Sequence, residues 1–276
     1  MAHTTVNASR RVAATSGHPS ERRALPPSAD TATTSMQIPP VRPAQFHLAE
    51  HVRACRIDEQ VVLLDLKRGR YLGVTAKSLA GLDLQIDGLR IDHAADRDAP
   101  ASRVAFRDSL LARGLITPAP PRPMATPGVE EALQTLGASE SMSQVIVSTA
   151  NTRRFVLGAA NAAVALRCRS LFQIARSVAA RRMRCAGSAH SDTNTALTHA
   201  VATFEQLRPL LFTSRDRCLF DSLCLVNFLA AHAMFPTWVV GVATRPFSAH
   251  SWVQSGTTVL NDLHEHVRAY RPILVV

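Results

Sequence analysis

Three side chains in the last third of the chain have types and positions suited to nucleophilic chemistry: Cys218, His250 and Asp262. Residues 219–234 are apolar on nearly every side, which predicts a buried helix that begins close to Cys218, with Ser214 or Asp216 as its N-cap. Unpaired backbone N–H groups and the positive dipole end in a first helical turn stabilise a thiolate. Cys218 is therefore the candidate nucleophile. The other cysteines are interpreted as structural: Cys55, Cys168, Cys185 and Cys224.

His250 lies in a segment whose β-branched and aromatic residues predict strands over 238–244, 249–254 and 257–260. A histidine that acts as a base needs an acceptor for its second ring nitrogen. A two-residue Ser255-Gly256 turn would place His250 opposite Asn261, whereas a longer loop or a bulge near Gly256 would place it opposite Asp262. We predict the longer loop, with a Gly256 conformation that a residue bearing a Cβ would resist.

A metal site is a weaker alternative for the same region. Asp262, His264 and His266 carry ligand atoms at short spacing, but exposed polar residues are the more common explanation of such a pattern. We predict no metal.

The elements that must position these residues form two folded parts. Strands are predicted over residues 46–57, 61–66 and 70–74, with a tight turn at 67–69. Thr75 is a suitable cap for a following helix, and a second helix through 104–111 is predicted to end at Gly114. The first part is thus a three-stranded antiparallel sheet followed by helices.

Composition divides the chain further. Residues 1–43 lack apolar periodicity and are predicted to be a disordered extension. The first folded part covers residues 44–116. The proline-rich segment 117–128 is predicted to be a stiff linker. The second part, 129–276, begins with helices through Phe155, Phe172 and Phe204. Residues 181–184, three of them arginine, are interpreted as a solvated helix end.

Charge and cysteine content restrict the function classes. The formal charge is +10, but the 44–118 segment carries eleven basic and ten acidic residues, so the sequence shows no concentrated basic arm. Nucleic-acid binding is therefore not expected.

Five cysteines without paired spacing, and no recognisable signal peptide, indicate a reducing cytoplasm. The longest uncharged stretch, residues 222–244, contains Asn227, His232 and Pro236 and is not a membrane span.

Residues 213–276 resemble a known family, the transglutaminase-like leader peptidases of lasso peptide biosynthesis, called B proteins. The motifs that carry the resemblance are Arg217-Cys218-Leu219, Asp221-Ser222-Leu223, His250-Ser251-Trp252-Val253, Gly256 and Asn261-Asp262. The family usually has alanine where this chain has Ser251. The resemblance implies a papain-like cysteine peptidase fold with Cys218 as nucleophile, His250 as base and Asp262 as the orienting acid.

Residues 44–118 resemble the precursor-peptide recognition domain of the same systems, a winged-helix-like module related to the pyrroloquinoline quinone chaperone. This weaker resemblance is carried by residues 61–65, 69–73 and the helix after Thr75. It implies that the leader peptide adds as a strand to the sheet edge. The strand concerned contains Arg70, Tyr71, Leu72, Gly73 and Val74.

Together these resemblances imply an α+β chain that binds the leader of a lasso precursor peptide and cleaves it from the core peptide, without a cofactor. They also imply a partner, a separate ATP-dependent, asparagine-synthetase-like cyclase. Two alternatives stay open. One is an amide or acyl transferase on the same fold, and the other is a non-catalytic winged-helix regulator.

Overall fold

The apolar run at residues 61–64 becomes the central strand of an antiparallel sheet in the computed structural model of the chain. The structure describes residues 46–80, 82, 84–85, 100–120, 128–136, 147–185, 193–211 and 217–276. The strands are β1 Phe46–Leu48, β2 Val52–Ile57, β3 Gln60–Asp65, β4 Arg70–Thr75, β5 Leu84–Gln85, β6 Ile116–Thr117, β7 Gln134–Thr135, β8 Thr237–Thr244, β9 Phe247–Ser255, β10 Thr258–Val259 and β11 Arg271–Val275. The helices are α1 Ala76–Ala80, α2 Pro100–Ala112, α3 Thr149–Cys168, α4 Leu171–Cys185, α5 Thr193–Leu207, a 3₁₀ turn Arg208–Leu210, α6 Cys218–Ala230 and α7 His264–Val267.

Strand β3 is buried on both faces, which explains its uninterrupted apolar sequence. Val61 and Leu63 point into a small core shared with α1 and α2, whereas Val62 and Leu64 point into the large core of the C-terminal part. The sheet order is β2-β3-β4, so β4 is an edge strand among the described residues. This edge strand contains residues 70–74, which are predicted to bind a peptide.

Several local predictions for this part are confirmed. Thr75 Oγ1 accepts a hydrogen bond from the Ser78 N–H at 3.2 Å, which caps α1. Gly114 follows α2 with a φ of +68°, the left-handed cap conformation. The predicted strand 46–57 is instead two strands separated by a turn, and β1 joins a different sheet with order β5-β1-β6.

The C-terminal part is a five-stranded sheet of order β11-β8-β9-β10-β7 with helices packed on it. Helix α6 is buried nearly all round, as its sequence predicts, between the sheet and α3. Gly158 of α3 lies at this contact, where a Cβ would be in ordinary van der Waals contact with α6, 3.4 Å from the Phe228 nitrogen. The chain is thus a mixed α and β protein.

The two parts contact each other directly. Residues 43–276 form one compact unit, and β2 packs beside β11. At the start of α4, the Phe172 N–H donates to the Leu66 carbonyl at 3.0 Å. The predicted disordered extension 1–43 and linker residues 121–127 lie outside the described residues, so the proposed domain boundaries remain predictions.

The arginine-rich end of α4 differs from its interpretation as solvated. Arg181 donates two hydrogen bonds of 3.1 Å to Asn227 Oδ1 of α6, and Arg182 donates one of 3.1 Å to Thr237 Oγ1 of β8. The interpretation is wrong for these two residues, because the half-buried acceptors of Asn227 and Thr237 lie within reach of the guanidinium groups. Within the described residues, no helix is both long and apolar enough to cross a membrane.

Candidate active site

Cys218 is the first residue of α6, and its sulfur faces His250. Arg217 occupies the N-cap position without a capping side chain, while the expected caps Ser214 and Asp216 lie outside the described residues. The sulfur is hydrogen-bonded to His250 and accepts from the backbone N–H groups of Leu219 and Ser251. The Leu219 N–H is available because the first amides of a helix have no partner within it. The site can therefore stabilise a thiolate.

His250 lies between the cysteine and a carboxylate. Its Nε2 is 2.5 Å from Asp262 Oδ2, so the nitrogen available to Cys218 is Nδ1. The Leu263 N–H also donates to Asp262 Oδ1, at 2.7 Å. The imidazole is 12% exposed and the carboxylate 21%, which leaves both reachable by solvent only at their edges. The structure thus brings the three predicted side chains together in the order Cys218, His250, Asp262.

The hairpin that supports this contact differs from both alternatives considered from the sequence. Thr258 pairs with Ser255 and Val259 with Gln254, so the loop is Gly256-Thr257 and would place His250 opposite Leu263. Our prediction of a longer loop is wrong, because the φ of +54° at Gly256 allows a tight turn with glycine at its first central position. The predicted special conformation of Gly256 is confirmed. Asp262 reaches His250 because the chain leaves the ladder after Leu260.

Asn261, the rival acceptor, faces a different partner. Its Oδ1 accepts from the Val253 N–H at 2.9 Å, and its Nδ2 donates to Asp221 Oδ2 at 3.1 Å. Asp221 is a buried residue of α6, and Arg208 Nε lies 3.1 Å from its Oδ1 as an ion pair that lacks hydrogen-bond geometry. Asn261 therefore joins the hairpin to the helix that carries Cys218. The sequence pattern gave no signal for Arg208, whose contact is long-range.

The charges of the site favour an ion pair. Burial would raise the pKa of Cys218, but the hydrogen bond and charge of His250 and the two backbone N–H donors lower it below its usual value. Burial would likewise lower the pKa of His250, yet Asp262 and Cys218 raise it to about 9. Against its own burial, Asp262 is held at a pKa of about 2, mainly by its bond to His250. A thiolate and an imidazolium can thus coexist near neutral pH.

A comparison with known protein families assigns the region that contains these residues. Residues 157–275, from α3 to the last strand, match the family model of the transglutaminase-like superfamily. These residues form a transglutaminase-like superfamily domain. No curated protein and no solved structure matches the chain.

Ser251 gives the transglutaminase-like domain a buried polar cluster. Its hydroxyl is 2.7 Å from that of Ser222 on α6, and the Trp238 Nε1–H donates to both, at 3.0 Å to Ser222 and 2.9 Å to Ser251. Ser251 also donates to the Val239 carbonyl at 3.1 Å. The cluster holds α6 against β9, and with it Cys218 against His250.

The face of β9 that carries His250 is lined by aromatic rings. Trp252 stacks on His250 with ring centroids 6.2 Å apart, and Tyr270 lies 5.1 Å from it. Gly241, which pairs with His250 across the ladder, leaves room for these rings, because a Cβ there would lie 2.8 Å from atoms of both Trp252 and Tyr270. Sequence reasoning missed Gly241, since its neighbours come from distant segments.

The structure separates the two histidines of the metal alternative. His264 turns to Thr135, with Nδ1 3.0 Å from its hydroxyl, whereas His266 Nδ1 lies 3.0 Å from Asp262 Oδ2. Among the described residues, the three whose possible ligand atoms lie within 4.8 Å of one another are instead His250, Asp262 and His266. These atoms are already joined by hydrogen bonds as a carboxylate between two imidazoles.

Tyr71 of the edge strand β4 lies within electrostatic range of Cys218 and contacts β9. The Tyr71 ring packs edge-on against Phe247 of β9 with centroids 5.4 Å apart. The pKa of Tyr71 is raised, first by burial and then by the charge of Cys218. Phe247 is 53% exposed, so one ring of this aromatic pair is open to solvent.

Proposed function

We propose that this chain is the fused leader peptidase of a lasso peptide system, a cysteine endopeptidase that binds the leader of a precursor peptide and cuts it from the core peptide. The observation that carries the proposal is the assembly of Cys218, His250 and Asp262 on a transglutaminase-like domain, with Tyr71 of the edge strand β4 within electrostatic range of Cys218. Residues 129–276 perform the chemistry, and residues 44–116 hold the leader.

The chemistry follows from the positions of the protons. The Cys218 thiolate attacks the scissile carbonyl, and the His250 imidazolium donates its Nδ1 proton to the leaving amine of the core peptide. His250, now neutral, removes a proton from the water that hydrolyses the acyl-enzyme. Asp262 accepts from Nε2 throughout and keeps the ring in the required tautomer. The Cys218 backbone N–H is the proposed oxyanion donor.

A groove beside β4 is the proposed leader site. It has a volume of about 460 Å³ and lies between the strand and the end of α2. Its lining includes the predicted binding residues Arg70, Tyr71 and Leu72. A peptide added to the free edge of β4 would gain backbone hydrogen bonds from the strand and side-chain contacts from the helix. Gly73 and Val74 continue the same edge toward α1.

The charges of the groove favour an acidic or carbonyl-rich segment of the leader. Arg68, Arg70 and Arg113 line it together with one acid, Asp65. Arg68 already pairs with Asp65 at 2.9 Å, which leaves Arg70 and Arg113 as the cations available to a bound peptide.

The product of the reaction sets the expected partner. Cleavage frees the core peptide's amino group, which a separate ATP-dependent, asparagine-synthetase-like cyclase would join to a side-chain carboxylate. We propose that the two enzymes meet in the cytoplasm, and that the peptidase itself uses no cofactor.

The first prediction tests the nucleophile. Cys218→Ala should abolish cleavage of a lasso precursor peptide, because no other thiol adjoins His250 in the described structure. Cys168→Ala is the matched control, since Cys168 is an exposed free cysteine at the end of α3, and it should cleave normally. Mass spectrometry of the peptide measures both. Substantial cleavage by Cys218→Ala would exclude the thiol mechanism.

The same assay distinguishes the peptidase from the acyl-transferase alternative. The match to the transglutaminase-like superfamily fits both activities equally. With an added primary amine, a peptidase yields the free leader acid, whereas a transferase yields an amine adduct of the leader. A product that is mainly adduct would favour the transferase. Salt-sensitive DNA binding without cleavage would favour the regulator.

The second prediction tests the leader site. Arg70→Glu should weaken binding of a leader peptide roughly tenfold, because a charge reversal in a half-solvated groove costs on the order of 1 kcal/mol or more. Arg153→Glu, on the exposed surface of α3, is the control and should bind as the unmodified protein does. Fluorescence anisotropy with labelled leader measures the affinity. Unchanged affinity for Arg70→Glu would place the leader elsewhere.

A further inference from the structure

The Asp262 carboxylate accepts hydrogen bonds from two imidazoles, and only one of them has a place in the proposed mechanism. His266 follows it by four residues on α7, with Nδ1 3.0 Å from Oδ2 and 3.2 Å from Oδ1. His250 Nε2 approaches the same Oδ2 at 2.5 Å. The His266 side chain is 48% exposed, so burial does not explain where it lies.

His266 also touches the base itself. Its ring centroid is 4.7 Å from that of His250 and 5.5 Å from that of Tyr270. The planes of the His266 and Tyr270 rings are nearly perpendicular. The other charged groups of α7 and its neighbours are engaged elsewhere, since Glu265 pairs with His264 at 3.1 Å and Arg268 with Glu131 at 2.9 Å. The groups that face His266 are thus Asp262, His250 and Tyr270.

We infer that His266 is a positioning residue, which holds the Asp262 carboxylate in the plane that His250 requires. The inference rests on the triad roles proposed above. A carboxylate at the end of a side chain rotates about its last bond, and a second donor on the shared oxygen restricts that rotation. The Leu263 N–H donates to Oδ1 and the His266 Nδ1–H donates to Oδ2. Both carboxylate oxygens are therefore held in place, and the direction of the hydrogen bond to His250 is fixed. If His266 were only a surface residue, its removal would leave the Cys218–His250 pair unchanged.

The test uses the reactivity of Cys218, which can be measured without a substrate. The rate of Cys218 alkylation by iodoacetamide, followed by peptide mass spectrometry, reports thiolate formation in the free enzyme at each pH. His266→Leu and His266→Ala remove the donor, whereas His266→Asn keeps an N–H at a similar position in a side chain nearly isosteric with leucine. His264→Ala is the matched control on the same short helix.

Without the donor, the weaker Asp262–His250 bond should stabilise the imidazolium less. The alkylation rate near pH 7 should then fall roughly tenfold in the leucine and alanine variants. This is much less than the loss of turnover, up to about 10⁴-fold, that follows removal of an orienting carboxylate itself. The acidic limb of the alkylation profile should move to higher pH. His266→Asn should recover most of the rate, and His264→Ala should match the unmodified protein.

Cleavage kinetics give the second readout. The donorless variants should lower kcat and leave KM nearly unchanged, because leader binding uses β4 rather than α7. An unshifted alkylation profile in the folded leucine or alanine variant would overturn the inference, as would a failure of asparagine to restore the rate. A shifted profile in a protein that cleaves no precursor would instead uphold the positioning role and reject the leader-peptidase function.

Discussion

At the scale of single residues, the site depends on two neighbours with different duties. Asp262 contacts the base, whereas Asn261 contacts Asp221 of α6 and the Val253 backbone. Adjacent residues serve separate partners because the chain bends away from the ladder after Leu260, ahead of both. We therefore expect the acid to affect turnover and the amide to affect how firmly the helix and hairpin are joined.

The third prediction is made at this scale. Asp262→Ala should lower turnover by roughly 10² to 10⁴-fold, as expected for loss of an orienting carboxylate, and Asn261→Ala should lower it far less. Steady-state cleavage rates measure both. A larger loss for Asn261→Ala than for Asp262→Ala would transfer the orienting role to the amide, while Cys218 and His250 would keep their roles.

The pH dependence has a defined sign. Activity requires the His250 proton, so kcat/KM should fall as pH rises through the raised pKa of His250, about 9. Asp262→Asn removes the carboxylate that raises this pKa, and the falling limb should therefore move to lower pH. A pH profile of residual activity measures this shift. A limb that stays in place would mean that Asp262 does not control His250.

At the scale of elements, the site depends on the space between β8, β9 and the segment before β11. Gly241 of β8 lies opposite His250, and Trp252 and Tyr270 occupy the volume that a side chain would need. The rings in turn contact the imidazole. A glycine on one strand thus determines the position of a base on the next.

The fourth prediction follows from this packing. Gly241→Ala should destabilise the protein by about 1–3 kcal/mol through overpacking, and should lower turnover as the rings and His250 are displaced. Gly128→Ala is the matched control, because a Cβ at Gly128 meets no atom within 4 Å. Denaturant unfolding measures stability, and cleavage rates measure the site. Equal free energies of unfolding and equal cleavage rates for the two variants would show that the strands accommodate a Cβ at residue 241 without loss of stability.

At the scale of the whole molecule, β3 joins two hydrophobic cores. Alternate residues of this strand belong to the small core with α1 and α2 and to the large core of the transglutaminase-like domain. The proposed recognition and chemistry therefore share packed side chains as well as a covalent connection. Tyr71 of β4 contacts Phe247 in the same junction.

The fifth prediction tests this coupling. Leu64 is fully buried and faces the large core, so Leu64→Ala should cost about 2–5 kcal/mol and lower the stability of the N-terminal and C-terminal parts together. Val104→Ala, at an exposed position of α2, is the control. Unfolding followed by tryptophan fluorescence reports the catalytic part, since Trp238 and Trp252 both lie there, and circular dichroism reports the whole. Separate transitions by the two probes would show that the parts unfold independently.

Local sequence patterns determined much of this protein. The apolar run of β3, the all-round apolar surface of α6 and the left-handed glycines at 114 and 256 each express a preference that neighbouring residues set by themselves. The choice of Cys218, His250 and Asp262 also came from residue types and spacing, aided by a family resemblance. Helix periodicity, helix ends and turn glycines are short-range properties, so a sequence can specify them directly.

Only the tertiary structure decided how these pieces meet. The hairpin register did not place Asp262 opposite His250, and the contact forms because the chain leaves the ladder after Leu260. Gly241 beneath the rings, His266 on the shared carboxylate and Tyr71 against Phe247 join segments that are distant in sequence or separated by a bend. No local periodicity encodes such contacts, because they depend on the packing of whole elements against one another.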